Sequence, residues 1–173
     1  SWLPGTAQSG CSFVSPSELS SSLIAFHNDQ NPYLLNRYDV LDRQISTLGA
    51  GESWHKAKKS VNQRYSSNES NSVKRYQVSG SGTLEENGYY AAKSLSMLEE
   101  TDEDGKTKQT FSDLFGHKVL ERRDGHNDTY YIYDNIGRLR YVLSPSYQEY
   151  SDLQKFGYEY RYDKYGRCVW KRL

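Results

Sequence analysis

The feature that most constrains this chain is the segment Tyr133-Asp134-Asn135-Ile136-Gly137-Arg138, which lies between two runs of alternating side chains. The residues before and after it alternate with the period of two that a β-strand requires. Asp at the first turn position bonds backbone N–H groups two residues on, and Gly three places later adopts the left-handed conformation that closes a type I turn with a bulge. We expect an ion pair between Arg138 and Asp134, although an exposed pair contributes only about 0–1 kcal/mol. The pattern predicts a β-hairpin.

The same motif, written aromatic-Asp-x-x-Gly-Arg, recurs along the chain. Residues 162–167 match in full, and residues 38–43 match with Asp42 in place of Gly, a residue that tolerates the left-handed conformation. The copy at Asp113 has Phe111 one place early and His117 for Arg, while the copy at Asp102 loses the aromatic residue. An internal repeat of this kind governs architecture. The candidate motif residues are Tyr38, Asp39, Arg43, Asp102, Gly105, Asp113, Gly116, Tyr133, Asp134, Gly137, Arg138, Tyr162, Asp163, Gly166 and Arg167.

These repeats predict a mainly β fold: an antiparallel meander of about ten strands in a twisted, curled sheet of repeated β-hairpins, with one or two short helices. We expect residues 1–173 to be a single domain cut from a larger protein. Residues 1–36 form a leading segment, with a short helix opening at the capping box Ser15-Pro16-Ser17-Glu18, and residues 37–173 form the hairpins. A second helix is expected from Ser144-Pro145, and residues 49–60 are expected to be a loop.

Composition excludes several classes of partner. The formal net charge is zero and the isoelectric point is about 6.9, so nothing in the charge balance favours nucleic acid or an anionic membrane. No apolar run approaches the ~20 residues needed to insert directly into a bilayer. Mean hydropathy is low at −0.90, yet the chain contains 16 tyrosines. Each buried aromatic side chain removes roughly 150–250 Å² from water, so tyrosine is the main material of the predicted core.

The sequence contains no constellation typical of catalysis or metal binding, and we expect no catalytic residue, metal or cofactor. The four histidines are isolated, without zinc-ligand spacing. Asp102-Glu103-Asp104-Gly105 is similar to half of a calcium loop but lacks the remaining ligands. Cys11 and Cys168 lie at opposite ends of the chain, where a disulfide would tie the termini together. Uncovered sheet edges favour pairing between molecules, so we expect some self-association.

The repeated motif resembles a known family. Residues 133–138 and 162–167 are similar to the tyrosine-aspartate repeats of the Rhs (rearrangement hotspot) proteins, and residues 128–134 and 139–145 resemble the large Rhs-like proteins of Bacteroidetes. The resemblance covers roughly residues 37–173. It implies one long β-sheet that curls into a hollow shell, exported to the cell surface or beyond, often enclosing a toxic C-terminal polypeptide. A non-catalytic structural role is therefore expected, with other repeats of the same polypeptide as partners.

A second hypothesis comes from the aromatic residues alone. Stripes of Tyr with interleaved Arg, as at residues 158–161, are also found in stacking platforms for sugars or single-stranded bases. The chain would then be a carbohydrate-binding module that uses exposed Tyr and Trp faces to bind glycans. Cross-strand packing explains the stripes more simply, because aromatic pairs stabilise sheets by roughly 0.2–1 kcal/mol each. A shallow groove lined by coplanar exposed aromatic rings would favour the glycan hypothesis.

Overall fold

A computed structural model describes residues 31 and 33–172 and confirms the mainly antiparallel β fold. The strands are β1 (Leu35–Tyr38), β2 (Gln44–Leu48), β3 (Ser60–Ser67), β4 (Lys74–Val78), β5 (Leu84–Tyr89), β6 (Ser96–Thr101), β7 (Thr107–Ser112), β8 (Lys118–Arg123), β9 (Asn127–Tyr133), β10 (Leu139–Leu143), β11 (Gly157–Tyr162) and β12 (Cys168–Arg172). The helices are α1 (Glu52–Ala57), α2 (Pro145–Tyr150) and α3 (Leu153–Phe156).

Ten of these strands form one antiparallel sheet in the order β1-β2-β3-β6-β7-β8-β9-β10-β11-β12, and β4 pairs with β5 in a separate two-stranded sheet. From β6 to β12 each strand pairs with the next along the chain, so the predicted meander is confirmed. The predicted curl is not confirmed, because neither sheet closes on itself.

The chain divides into two compact units: residues 1–63 with 102–104, and residues 64–101 with 105–173. Among the described residues of the first unit, none is fully buried. The loop predicted for residues 49–60 is wrong, because α1 forms there. Glu52 and Lys56 form an ion pair one helical turn apart, and Lys58 in the left-handed conformation closes the helix on the carbonyls of Trp54 and His55. Local pairing of this kind stabilises a short helix without a buried face.

The second unit contains the core. Cross-strand neighbours Phe111, Leu120 and Tyr130 lie in a row on one face of the sheet, because alternate residues of each strand point the same way. The ring of Tyr76 on β4 packs edge-on against Tyr130, with centroids 5.0 Å apart, and its hydroxyl donates to Gln148 on α2 at 3.0 Å. The β4–β5 hairpin and α2 therefore cover this face of the sheet.

Buried side chains that make up this core are Val73, Tyr76, Leu95, Met97, Phe111, Val119, Leu120, Tyr130, Ile132, Tyr141 and Leu143. Four of them are aromatic and seven are aliphatic or Met, so the expectation that tyrosine is the main material of the core is wrong; most tyrosines keep part of their ring at the surface. Burial raises the pKa of Tyr130 to about 12, with the nearby Asp128 carboxylate adding to the effect. This tyrosine therefore stays neutral at physiological pH, as a buried ring should.

Two further expectations concern the ends of the chain. The helix expected from Ser15 and the cysteine Cys11 lie outside the described residues, whereas Cys168 is exposed on β12. The helix expected from Pro145 is confirmed as α2, and Ser151 in the left-handed conformation separates it from α3. Within the part of the chain that the structure describes, no helix is long and apolar enough to cross a membrane.

Candidate functional site

The turn at Asp134 is the best-defined copy of the repeated motif. The N–H of Asp134 donates to the carbonyl of Arg138, and the N–H of Gly137 donates to the carbonyl of Asp134, both at 2.9 Å. One carboxylate oxygen accepts the N–H groups of Ile136 and Arg138, while the other accepts Arg138 Nε at 2.9 Å. Gly137 has φ of 80°, the left-handed conformation predicted from the sequence. A single carboxylate thus fixes the whole turn.

Three other turns repeat this arrangement. At Asp39, Asp113 and Asp163, the same two backbone bonds form and one carboxylate oxygen accepts the N–H groups two and four places later. The basic residue four places on pairs with the second oxygen, through Arg43, His117 or Arg167. Each of the four hairpins also has a β-bulge six places after its Asp; the extra residues are Ile45, Val119, Arg140 and Val169. These four turns are called Tyr-Asp turns below.

The Asp113 turn departs from the motif at its aromatic position, as its sequence indicates. Phe111, one place early, does not replace the missing aromatic residue, because side chains on a strand alternate between faces. Ser112 takes the aromatic position instead, and Phe111 is buried in the core at 3% exposure. The ring of His117 lies with Nδ1 3.2 Å from the Asp113 carboxylate, as expected for the basic position.

The Asp102 turn is a different kind of connection. Gly105 has φ of 81°, as expected, and Asp102 accepts the N–H of Asp104 at 3.0 Å. However, Thr101 pairs directly with Thr107, and β6 and β7 run on in register without a bulge. The predicted glycine conformation is therefore confirmed, but the hairpin lacks the bulge that the four Tyr-Asp turns share.

Two further turns lie outside the repeated motif. Ser79 takes the place of Asp between β4 and β5: its N–H donates to Thr83, its carbonyl accepts from Gly82, and its hydroxyl accepts the N–H of Thr83 at 3.1 Å. Asp124-Gly125 joins β8 to β9 with both residues at positive φ. Asp-Gly between alternating strands is a strong hairpin signal, so the second turn was readable from sequence.

Hydrogen bonding shifts the acidity of the turn carboxylates. Burial of Asp134 opposes its charged form, but the N–H and guanidinium of Arg138 outweigh burial and lower the pKa of the carboxyl below 3.8. The Arg43 guanidinium lowers the pKa of Asp39, and the Arg167 N–H and guanidinium lower that of Asp163. All three carboxylates are therefore ionised at neutral pH, as the ion pairs require.

Successive Tyr-Asp turns are joined by a second repeated contact. The ring of His117 stacks on Tyr133 of the next turn, with centroids 4.6 Å apart, and the Tyr133 hydroxyl donates to the carbonyl of Lys118 at 3.1 Å. One turn further on, the Arg138 guanidinium lies over the ring of Tyr162 at 5.1 Å.

The Tyr162 hydroxyl donates to the carbonyl of Leu139 at 2.8 Å. Lys118 and Leu139 each lie five places after the Asp of their turn, so the two contacts are equivalent. Burial raises the pKa of both Tyr133 and Tyr162. We call this chain of contacts from Asp113 to Asp163 the turn ladder.

A groove of about 570 Å³ lies beside the turn ladder in the second unit. Its lining residues are Tyr90, Asp113, Phe115, His117, Val119, Tyr131, Tyr133, Asp134, Asn135, Ile136 and Gly137. The lining brings the His117 ring to the Asp113 carboxylate, with Nδ1 3.2 Å from it, but contains no Ser, Thr, Cys or Lys as a nucleophile for the imidazole to activate. Among the described residues, no three His, Cys, Asp or Glu side chains converge on a metal position. Of the polar side chains in the groove, those of Asp113, His117, Tyr133 and Asp134 are hydrogen-bonded in the turn ladder.

Exposed aromatic rings on this unit carry cations on their faces. Arg161 lies 4.5 Å from the ring of Trp170, and Lys164 and Arg167 lie 5.0 and 5.2 Å from that of Tyr165. In the groove beside the turn ladder, Lys118 lies 4.2 Å from the half-buried ring of Tyr131. Such cation–π contacts stabilise the sheet, but they occupy faces that a sugar would need for stacking.

No protein-family model matches the chain, and no curated protein is significantly similar to it. The Tyr-Asp turns and the turn ladder are therefore the features of this chain that bear on its function.

Substitution of the turn glycines tests the predicted backbone conformation. Gly137→Val and Gly166→Val both place a β-branched side chain at φ near 80°, and each should lower the free energy of unfolding by more than about 1 kcal/mol. Gly137→Val should lower the free energy of unfolding further, because its Cβ would also lie 3.1 Å from the His117 ring. A Cβ added at Gly166 would have no such neighbour within 4 Å. Urea unfolding measures both values.

Gly80→Val is the matched control, since Gly80 lies in the Ser79 turn without a positive φ and has open space around it. Its stability should change by less than about 0.5 kcal/mol. Unfolding curves for Gly137→Val that overlay those of the wild type would refute the turn assignment.

Neutralising the turn carboxylate tests its ion pair. Asp134→Asn keeps an oxygen for the two backbone N–H groups but removes the partner of Arg138, and should cost about 1–3 kcal/mol at pH 7. Because the folded-state pKa of Asp134 is lowered, this contribution is present above 3.8 and disappears as the pH falls through the folded-state value. Thermal unfolding at pH 7 and at acid pH measures the difference.

Asp124→Asn in the β8–β9 turn is the control, because Asn readily adopts the positive φ of that position. It should leave stability nearly unchanged at both pH values. A loss for Asp134→Asn that is equally large at acid pH would show that the carboxylate charge is not responsible.

Proposed function

We propose that this chain is a non-catalytic structural segment of an exported Rhs-type repeat protein, in which its sheet forms part of a shell or surface wall. The main support for the proposal is the turn ladder, in which one turn contacts the next in an equivalent way. These contacts join His117 to Tyr133 and Arg138 to Tyr162. The Asp113 and Asp134 hairpins thus each position their successor by the same rule, which suits a wall assembled by repetition.

The packing of the second unit agrees with such a role. One face of the sheet is closed by the β4–β5 hairpin and α2, and the carboxylates of the Tyr-Asp turns are hydrogen-bonded within the turns. Carboxylates that hold backbone in this way contribute to rigidity rather than to turnover. The partners of this segment are then the neighbouring repeats of the same polypeptide, with an enclosed C-terminal toxin domain as cargo.

The glycan hypothesis has less support from this geometry. Its clearest requirement is a groove with coplanar, accessible aromatic faces, but in the groove beside the turn ladder the His117 and Tyr133 rings cover each other. Phe115 is the exposed ring there, and it is tilted by 37° from His117. The exposed Phe115 ring and its neighbour therefore do not form the coplanar pair that the glycan hypothesis requires.

An immunoblot of the producing cells tests the proposal. An antibody raised against this 20.0 kDa chain should detect a polypeptide several times larger, in the extracellular or surface fraction. The reason is that a wall segment functions only as part of a continuous repeat protein outside the cell. A cytoplasmic enzyme, detected in the same blots, controls for lysis.

A band near 20.0 kDa confined to the cytoplasmic fraction would contradict both the export and the repeat context. The purified chain is also expected to show no catalytic turnover of its own. Any turnover by the purified chain that a single polar substitution in the groove abolishes would contradict the non-catalytic role.

A further inference from the structure

A pocket of about 710 Å³ in the second unit is lined by the β4–β5 turn, both helices that follow β10, and strands β10, β11 and β12. Three arginines line it, Arg140, Arg161 and Arg172, and Glu159 is the one acidic side chain that the described residues contribute. Three guanidiniums against one carboxylate leave a local excess of two positive charges, although the formal net charge of the whole chain is zero. We call this site the arginine pocket, and its volume is typical of small-ligand sites.

Cross-strand pairing explains why these charges meet. Ile132, Tyr141, Glu159 and Arg172 are successive neighbours across β9 to β12, so their side chains point to the same face of the sheet. The first two are buried core residues, and Glu159 is only 7% exposed. Arg161 lies two places along β11 from Glu159 and therefore on the same face. An apolar row of the core thus continues into the pocket as a charged row.

Arg140 reaches the pocket through the bulge of its Tyr-Asp turn. It is the extra residue six places after Asp134, and a bulge re-aims the side chain that it carries. Arg140 Nε donates to the carbonyl of Tyr160 at 3.0 Å, which holds the guanidinium beside the pocket. The bulge residues of the other three Tyr-Asp turns are apolar: Ile45, Val119 and Val169. The departure from an apolar residue occurs where two more arginines line the same pocket.

The hydrogen bonds within the cluster leave many donors unused. Glu159 accepts Arg161 Nε at 2.8 Å and lies 3.4 Å from Arg172 Nη2. The bonds of Arg140 and Arg161 to described residues use Nε alone, so their terminal Nη groups remain for a ligand. Arg172 Nε is buried and lacks an acceptor within the described part of the chain. An unsatisfied donor costs stability, so packing alone does not account for three arginines here.

The three guanidiniums also act on one buried ring. Tyr141 donates its hydroxyl to the carbonyl of Gly82 at 2.7 Å. Burial raises the pKa of Tyr141 and the Glu159 carboxylate adds to the rise, whereas all three arginines oppose it, because nearby positive charge favours the ionised phenol. The arginines therefore converge closely enough for their charges to act together at one position.

We propose that the arginine pocket binds the phosphate group of a small phosphate monoester. Such a group has three acceptor oxygens and carries roughly 1.5–2 negative charges at neutral pH, which suits three converging guanidiniums. The Nη groups of Arg140 and Arg161 donate to these oxygens, and Arg172 supplies the third positive charge. Glu159 is a positioning residue that holds Arg161 and Arg172.

Apolar surface in the same pocket favours an organic group on the phosphate. Leu84, Tyr147 and Leu153 line the pocket, are half-buried and pack against the core. An aryl or short alkyl group gains affinity by leaving water for this surface. The pocket therefore prefers a monoester to inorganic phosphate. This binding site goes beyond the proposed wall function and does not depend on it.

Isothermal titration calorimetry of the purified chain with phenyl phosphate, at pH 7 and physiological salt, tests the site. Phenyl phosphate should bind at one site, about tenfold more tightly than phenyl sulfate or inorganic phosphate. The sulfate ester carries a single negative charge, and inorganic phosphate lacks the ring. Glutarate, with two negative charges on separate carboxylates, should also bind more weakly, because its charges do not meet at one position.

A pair of charge-matched variants separates the pocket from general attraction. Arg140→Gln should weaken phenyl phosphate binding by about tenfold or more, because a charge-assisted contact is lost. Arg123→Gln removes the same charge from an exposed side chain that pairs with Glu121, and should change binding by less than about twofold at physiological salt. Arg140→Lys should restore only part of the affinity, because Lys keeps the charge without the planar fork.

Spectra of the unmodified chain provide a second readout that no variant's folding can affect. On titration with phenyl phosphate, the side-chain N–H signals of Arg140 and Arg161 should shift, and those of Arg123 should stay in place. Equal losses in Arg140→Gln and Arg123→Gln would overturn the proposal. So would glutarate binding as tightly as phenyl phosphate, or arginine signals that do not move at millimolar phenyl phosphate.

Discussion

The structure depends on one interaction that recurs four times: an Asp carboxylate that accepts two backbone N–H groups and a basic side chain within a single turn. This carboxylate fixes the turn, and the turn positions a β-bulge six places after the Asp. A bulge increases the local twist of its strand and sets the register of the side chains that follow. The packing of the core face therefore depends on the hydrogen bonds that the Asp carboxylate makes in each turn.

The second dependence is between turns. A basic residue held by its own Asp packs against the Tyr of the next turn, and that Tyr bonds the backbone of the strand behind it, as Arg138, Tyr162 and Leu139 show. Both partners are pre-oriented, so little side-chain entropy is lost when they meet. The contact also shields the tyrosine rings from water without burying them in the apolar core. A sheet built this way gains stability at its turns as well as in its core.

Much of this was predictable from sequence because turn chemistry is local. Asp134 and Gly137 are constrained by their own backbone, and the structure confirms both. Predictions that depended on side-chain packing, and not on the backbone of one turn, were less accurate. Phe111 shares the motif's spacing only loosely and packs into the core, and α1 forms around an ion pair between Glu52 and Lys56 that no periodic pattern revealed. The turn ladder was not predictable either, because it joins residues 15 or more positions apart across strands.

The central claim is that the basic residue of one turn and the tyrosine of the next stabilise the sheet as a pair. A double-mutant cycle on Arg138→Ala and Tyr162→Ala, measured by urea unfolding, tests it most directly. The cycle subtracts the separate contribution of the Asp134 ion pair to Arg138. We expect a favourable coupling free energy of about 0.5–2 kcal/mol, the range of a partly desolvated cation–π pair. Additive losses, within about 0.3 kcal/mol, would show that the hairpins merely lie side by side.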